Sequence, residues 1–226
     1  TLWLNLGDSY AGGPTAAVGR NDAGRDIHHG IKPKDLVGIP WMVAFALRAD
    51  GWYLRSDIIW HKPNPMPSSV TDRCTNAHEY VFMLSKSRRY YWDQDAVAEP
   101  AVSDRDSGNG YDLPERISVG GRGQSKGWTR SDNPTRNLRD VWTIASKPYP
   151  GAHFAVMPPA LVEPCVKAGS AMGDTVLDPF AGAGTVGVVA RKLRREFVGV
   201  EINPEFADLA RRRIEDDMPM FNRATS

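Results

Sequence analysis

Residues 173–203, GDTVLDPFAGAGTVGVVARKLRREFVGVEIN, decide the fold of this chain. They begin with a short apolar run, Thr175–Leu177, whose partly β-branched composition is typical of a buried parallel strand. Asp178 ends the run, and Gly182 and Gly184 follow in a predicted turn. Because glycine accepts positive φ angles, this turn can be tight and can approach a ligand closely.

The second half of the stretch predicts a helix and another strand. Thr185 to Leu193 has the pattern of a helix, and Phe197–Val200 is a second short apolar run that predicts a buried strand. Glu201 lies at the tip of that strand. Strand, glycine turn, helix and terminal acid together predict half of a nucleotide-binding βαβ unit, in which the acid holds a ribose.

Two cofactors fit this pattern. Gly182, Gly184 and Gly187 have the G-x-G-x-x-G spacing, and Glu201 follows the first of them by 19 residues, as in a dinucleotide-dependent oxidoreductase. Asp178 favours another ligand, because a carboxylate beside the turn would repel the pyrophosphate of a dinucleotide. S-adenosylmethionine (SAM) has no phosphate, and its sulfonium and amino groups are cationic. The residues therefore favour SAM and leave a dinucleotide as the alternative.

The turn and the strand tip resemble the SAM-binding motifs of the amino-group DNA methyltransferases, which modify N6 of adenine or N4 of cytosine. Residues 178–185, DPFAGAGT, resemble the glycine loop of that family, and residues 201–204, EINP, resemble its ribose-binding strand end. The resemblance implies that the cofactor is bound by Asp178, Phe180, Ala181, Gly182, Gly184, Thr185 and Glu201.

A segment before the glycine loop extends the resemblance. Residues 147–158, KPYPGAHFAVMP, resemble a further SAM-contacting segment of the family, which implies that His153 and Phe154 lie beside the methionine part of the cofactor. A helix is predicted from Pro159 to Ala168. Residues 147–217 would then form the cofactor-binding half of the domain.

Three motifs in the first part of the chain also resemble the family. They are LGDSY at residues 6–10, WHKPN at residues 60–64 and HEYVF at residues 78–82. In the family, the strands that carry these motifs shape the side of the pocket that receives the target base. A helix is predicted between them from Asp35 to Asp50, with Pro40 in or at the start of its first turn.

Residues 100–146 are predicted to be the target-recognition insertion, because apolar residues become scarce and the resemblance places that region here. Between residues 116 and 139 there is a single acid, Asp132, among six basic residues. Such a segment suits contacts with the phosphates of double-stranded DNA. The predicted DNA-binding residues are Arg116, Arg122, Lys126, Arg130, Arg136 and Arg139.

The resemblance implies a Rossmann-like α/β sheet flanked by helices, with the strand order 3-2-1-4-5-7-6 and the seventh strand antiparallel. Five of these strands can be assigned: residues 174–178 (first), 197–201 (second), 1–6 (fifth), 57–60 (sixth) and 79–84 (seventh). The third and fourth strands have no counterpart in the sequence. The fourth would lie between the first and the fifth, so its absence would leave two unpaired strand edges.

The catalytic motif of the family is also missing. It has the form Asp/Ser/Asn-Pro-Pro-Tyr/Phe, and no such tetrapeptide occurs in the chain. We therefore expect residues 1–226 to be one methyltransferase domain that lacks an N-terminal segment, and we assign no catalytic residue. Alone, this fragment is expected to be poorly stable and inactive, and the missing N-terminal segment is its expected partner.

Composition excludes several other classes of protein. The chain is 41% hydrophobic and 24% charged, which is typical of a globular domain and excludes a disordered one. No apolar run is long enough to span a membrane, no signal peptide is visible in these residues, and no cluster of residues is spaced for a metal. Cys74 and Cys165 are isolated thiols, which fits a reducing cytoplasm and argues against the thiolate chemistry of C5-cytosine methylation.

The predicted function is methyl transfer from SAM to the exocyclic amine of adenine (N6) or cytosine (N4) in DNA. The resemblance implies a cytoplasmic enzyme of a bacterium or a phage, with a restriction endonuclease as a possible companion. Two alternatives remain from the sequence, a dinucleotide-dependent oxidoreductase and a non-catalytic DNA-binding remnant.

Overall fold

A computed structural model of the chain describes residues 1–11, 31–32, 34–101, 134–146 and 156–217. The helices and strands in these ranges are β1 (Leu2–Leu6), α1 (Ile39–Ala49), β2 (Tyr53–His61), β3 (His78–Ser85), β4 (Glu99–Pro100), β5 (Thr135–Arg136), β6 (Val141–Thr143), α2 (Pro159–Gly169), β7 (Thr175–Asp178), α3 (Thr185–Lys192), β8 (Glu196–Gly199) and α4 (Pro204–Asp216). None of the helices in these ranges is long and apolar enough to cross a membrane.

The largest sheet has four strands in the order β1-β3-β2-β6. Strand β3 is antiparallel to both β1 and β2, whereas β2 and β6 are parallel. The first three strands are those assigned above as fifth, seventh and sixth, and they lie in the predicted order with the predicted antiparallel strand in the middle. Strands β1, β2 and β6 all run in the same direction, so the loops that follow these three strands lie at the same edge of the sheet.

The predicted βαβ unit forms a separate two-stranded sheet. Strands β7 and β8 are parallel, and their register pairs Thr175 with Glu196 and Asp178 with Gly199. The prediction that both strands are buried is wrong, because Leu177 is 62% exposed and Val198 is 50% exposed. These two side chains share the face opposite α3, and no helix in the described ranges covers that face.

Helix α2 joins the two sheets by packing on both. Its Leu161 lies in a core cluster with Trp60 of β2 and Trp142 of β6. One residue further on, Val162 belongs to a second cluster with Val189 of α3. Because neighbouring residues of a helix point in different directions, one helix of 11 residues can serve two cores.

Helix α1 is shorter than predicted. It begins at Ile39 rather than Asp35, and Pro40 stands at its first turn as expected. The reason is tertiary, because the Asp8 carboxylate accepts hydrogen bonds from the backbone N–H groups of Gly38 and Ile39, at 2.9 and 3.1 Å. Asp35 lies before the start of α1, and its backbone carbonyl accepts a hydrogen bond from the N–H of Ala11 at 2.9 Å.

Strand β6 was not predicted, although it lies within the segment assigned as the recognition insertion. Its Trp142 is 7% exposed and packs in the same core cluster as Ile58 and Val81. The indole Nε1 of Trp142 donates to the carbonyl of Arg139 at 2.7 Å. Within this segment, Val141–Thr143 is therefore built into the four-stranded sheet and Thr135–Arg136 pairs with β4 in a separate sheet, while residues 102–133 lie outside the described ranges.

Candidate functional site

The turn after β7 is shaped by its glycines and closed by backbone hydrogen bonds. Gly182 has a φ of 49° and Gly184 has a φ of 76°, so both occupy the left-handed region that favours glycine. The N–H of Ala181 donates to the carbonyl of Val200 at 2.9 Å, and the N–H of Val200 donates to the carbonyl of Asp178 at the same distance. These bonds hold the turn against the end of β8.

Glu201 is fixed in this turn by its two carboxylate oxygens. Its Oε2 accepts from the N–H of Gly182 at 2.8 Å, and its Oε1 accepts from the N–H of Asn203 at 2.9 Å. The backbone donors of Asn203 and Gly182 hold the pKa of Glu201 below its ordinary value. The carboxylate is therefore ionised and oriented before any ligand arrives.

Asp178 is the second carboxylate at this edge. Its Oδ1 accepts from the N–H of Phe180 at 3.0 Å. Burial raises the pKa of Asp178 above its ordinary value, and the negative charge of Glu201 raises it further, against the effect of the Phe180 hydrogen bond. Two acids at the ends of adjacent parallel strands attract a cation and repel a phosphate, which agrees with the ligand preference predicted for Asp178.

Apolar side chains flank the two carboxylates. Ile202 is 98% exposed and Phe180 is 86% exposed, although both belong to residue types that are usually buried. Phe180 was among the predicted cofactor-binding residues, whereas Ile202 was not. The sequence feature that could have indicated Ile202 is its position directly after Glu201, because an apolar side chain there would lie next to the group that Glu201 binds.

The other predicted residues of the turn have structural roles. Ala181 and Thr185 are buried, and the Thr185 hydroxyl accepts from the Arg213 guanidinium of α4 at 3.1 Å. A Cβ on Gly184 would lie 2.8 Å from the Cβ of Ala210, and one on Gly187 would lie 2.4 Å from Ile214. The third glycine of the pattern thus allows α3 to pack against α4.

The strands of the four-stranded sheet carry a second polar cluster. Lys62 and Glu79 form an ion pair whose side chains are 22% and 28% exposed. The Lys62 ammonium also lies 4.4 Å from the centre of the Trp60 ring. Asn5 donates to the other oxygen of Glu79 at 3.1 Å. Residues from β1, the end of β2 and β3 are therefore locked together at the edge predicted to face the target base.

The comparison with known families identifies the family of the chain. A family model described as DNA methylase, N6_N4_Mtase, matches residues 1–212. The chain belongs to the N6/N4 DNA methylase family. This result confirms the resemblance seen in the motifs, and it decides against the dinucleotide-dependent oxidoreductase.

Curated members of this family are similar over almost the whole chain. The Type II methyltransferase M.Cfr9I of Citrobacter freundii is 46% identical over 225 residues, which cover 96% of this chain and 65% of that protein. M.SmaI of Serratia marcescens is also 46% identical, with 95% of this chain and 67% of that protein covered. The chain therefore spans about two thirds of the length of these relatives.

Solved structures confirm the fold. TTHA0409 of Thermus thermophilus, in complex with S-adenosyl-L-methionine, superposes with a TM-score of 0.58 at 24% identity, covering 97% of this chain and 70% of that one. The cytosine-N4-specific PvuII DNA methyltransferase has the same TM-score at 18% identity, covering 87% of this chain and 66% of that one. The Rossmann-like α/β fold expected for an N6/N4 DNA methylase is therefore correct.

The predicted DNA-binding residues are only partly described. Arg116, Arg122, Lys126 and Arg130 lie outside the described ranges. Arg136 and Arg139 are both paired with Glu99, whose Oε2 lies 3.1 and 2.9 Å from their Nε atoms. The structure thus places these two arginines around one carboxylate, and the side chain of Arg139 remains 65% exposed.

The remaining predicted cofactor-binding residues, His153 and Phe154, lie outside the described ranges. Of the two thiols, Cys74 is exposed, whereas Cys165 lies within α2 and its burial raises the pKa of the thiol. A thiol with a raised pKa is a poor nucleophile. The described residues contain no group of three acid, histidine or cysteine side chains arranged to hold a metal.

Proposed function

We propose that the protein carrying this chain is a SAM-dependent DNA methyltransferase that modifies the exocyclic amine of adenine (N6) or cytosine (N4). The observation that carries the proposal is the pair of carboxylates, Asp178 and Glu201, at the ends of β7 and β8 beside the glycine turn. Membership of the DNA methylase family supports the same activity.

The residues around the turn could each contact a different part of SAM: the ribose, the adenine ring and the methionine part. Glu201 is ionised and oriented, so it would accept hydrogen bonds from the ribose hydroxyls. Ile202 and Phe180 offer exposed apolar surface for the adenine ring. Asp178, at the end of the neighbouring strand β7, would face the cationic methionine part, and His153 and Phe154 would line that part from the preceding segment.

SAM supplies a methyl group activated by its sulfonium charge, so the protein needs no metal and no covalent intermediate for the transfer. The contribution of the protein is orientation, because a target base that is flipped out of the duplex must present its amine in line with that methyl group. The fixed Lys62–Glu79 pair and Asn5 support this part of the proposal, since they make the base-facing edge rigid.

Residues 100–146 are proposed to recognise DNA, and residues 147–217 to form the cofactor-binding half. The six basic residues predicted above would grip the phosphates of double-stranded DNA. Among them, Arg139 combines an exposed side chain with a fixed position, since Glu99 also accepts from its backbone N–H at 3.3 Å.

We further propose that a segment outside the 226 residues completes the sheet and supplies the catalytic motif. In the described part of the chain, β1 pairs only with β3 and β7 pairs only with β8, so one edge of each is open. Leu177 and Val198 are left exposed on the same small sheet. A partner segment would cover apolar surface and satisfy backbone groups that are otherwise unpaired.

The proposed setting is the bacterial cytoplasm, because the substrate is DNA and because Cys74 and Cys165 are free thiols. The relatives named above are bacterial Type II methyltransferases, which supports a companion restriction endonuclease as a second partner.

Calorimetry with SAM and with NAD tests the proposal. The protein should bind SAM and not NAD, and Asp178→Asn should weaken SAM binding by about tenfold, as expected for one hydrogen bond to a charged group. Asp208→Asn is the matched control, because Asp208 is an exposed acid of α4 that pairs only with its helix neighbour Arg211 in the described ranges. Preference for NAD, or unchanged SAM binding in Asp178→Asn, would refute the proposal.

A further inference from the structure

The segment between β2 and β3, residues 62–77, forms a closed loop that we call the proline loop. The N–H of Lys62 donates to the carbonyl of Ala77 at 2.7 Å, which closes the base of the loop. Three of its first six residues are prolines, at positions 63, 65 and 67. Because proline fixes φ and has no N–H to donate, this half of the proline loop has few conformations available.

The proline loop is also anchored to the neighbouring strand β6. The Asn64 side chain donates to the carbonyl of Ser146 at 2.9 Å, and it accepts from the N–H of Ser146 at 3.1 Å. This pair of hydrogen bonds links the carboxyl end of β2 to the carboxyl end of β6. The start of the proline loop therefore has a fixed position relative to the sheet.

Met66 stands two residues after this anchor, between two prolines. Met66 is 86% exposed, whereas Met42 on helix α1 is 59% exposed. A long apolar side chain on a stiff, anchored loop contributes little to the core. Its surface is therefore available to a partner, as is that of the exposed Ile202 beside the cofactor turn.

Cationic groups accompany Met66 on the proline loop. The Arg73 guanidinium lies 3.7 Å from the centre of the Tyr10 ring, and the Tyr10 hydroxyl donates to Asn76 at 3.3 Å. Stacking fixes the plane of the guanidinium while leaving its charge available for a phosphate. Because Tyr10 follows β1, this contact lies at the same edge of the sheet as Asn64.

We propose that Met66 is a wedge that enters the base stack of the DNA duplex when the target base is flipped out. The inference rests on the proposed function and identifies how the protein would hold the vacated step open. Flipping a base costs stacking and pairing energy, and DNA-distorting proteins offset such costs by inserting apolar side chains, methionine among them, between base steps. The anchor at Asn64 supplies the stiffness that a wedge requires.

The experiment compares two duplexes in the protein that carries this chain. The recognition sequence is first mapped by sequencing the methylated positions of plasmid DNA. One duplex then has its target base paired, and the other lacks the opposite base, so that flipping is easier. On the paired duplex, binding and methylation by Met66→Ala should be about tenfold weaker than those of the wild type. On the unpaired duplex, the loss should be smaller than about threefold.

Met42→Ala is the matched control, since it removes another exposed methionine that lies on α1 rather than on the proline loop, and it should behave as the wild type on both duplexes. SAM affinity should be unchanged in Met66→Ala. Equal activity of Met66→Ala and wild type on the paired duplex would overturn the wedge, and so would an equal loss on both duplexes. A wild-type protein that methylates no plasmid DNA would instead refute the proposed function.

Discussion

Replacing Gly184 with alanine tests how the glycine turn is held against helix α4. Gly184 has a φ of 76°, and an added Cβ would lie 2.8 Å from the Cβ of Ala210 and 3.0 Å from its Cα. The substitution therefore has two separate costs, a left-handed backbone with a side chain and a collision with a helix backbone. The turn or the helix has to shift, because neither contact can be relieved by rotating a flexible side chain.

The magnitude follows from adding the two costs. A left-handed conformation costs a residue with a Cβ about 1 to 2 kcal/mol, and overpacking costs about 1 to 3 kcal/mol. Gly173→Ala is the matched control, because Gly173 has a φ of 86° with no atom within 4 Å of an added Cβ. It carries the backbone cost alone, and the lower entropy of alanine in the unfolded chain affects both variants equally.

The assay is urea unfolding of the ligand-free protein, followed by circular dichroism. Gly173→Ala should lower the free energy of unfolding by about 1 to 2 kcal/mol, and Gly184→Ala by about 2 to 5 kcal/mol. The difference between the two variants measures the contact with α4. Equal destabilisation by the two substitutions would refute the packing of the turn on Ala210.

Three further substitutions test the polar groups of the structure. Asp178→Asn should stabilise the ligand-free protein against urea at neutral pH, because burial raises the pKa of this carboxyl and makes its ionisation unfavourable in the folded state. The gain should vanish at a pH well below the ordinary pKa of 3.8, where the carboxyl of the wild type is protonated in both the folded and the unfolded protein. Glu99→Gln should raise DNA affinity at low salt by freeing the two arginines that it pairs with, as measured by fluorescence anisotropy, whereas Glu163→Gln on α2 should not. Glu79→Gln should lower the free energy of unfolding by about 1 to 2 kcal/mol in urea, because it breaks the half-buried pair with Lys62.

The cofactor turn could be predicted from the sequence because its signals are local. The two glycines with positive φ, the helix that follows them and the acid at the next strand end all lie within residues 173–203, and the structure has them in that order. The Asn203 cap of α4 is equally local, since its side chain accepts from the N–H of Glu205 two residues away.

The features that the sequence did not predict depend on distant residues. Helix α1 starts at Ile39 because Asp8, some thirty residues earlier, accepts from its first N–H groups. Strand β6 has only three residues, too few for a pattern, and is held by the burial of Trp142. The exposure of Leu177 reflects the strands around β7 rather than the composition of β7 itself.

The pairing of Arg136 and Arg139 with Glu99 was likewise invisible, because a charge count along the chain does not show which charges meet. Thirty-seven residues separate Glu99 from Arg136, so their contact comes from the pairing of β4 with β5. The basic segment therefore has a smaller free charge at this end than its sequence indicates.

Analysis of the nucleosides in methylated DNA tests the central claim most directly. DNA is incubated with labelled SAM and the protein that carries this chain, digested to nucleosides and separated by chromatography with mass detection. The account predicts label in N6-methyladenine or N4-methylcytosine, and loss of that label in Asp178→Asn at limiting SAM. Label in 5-methylcytosine, or no label in DNA at all, would contradict it.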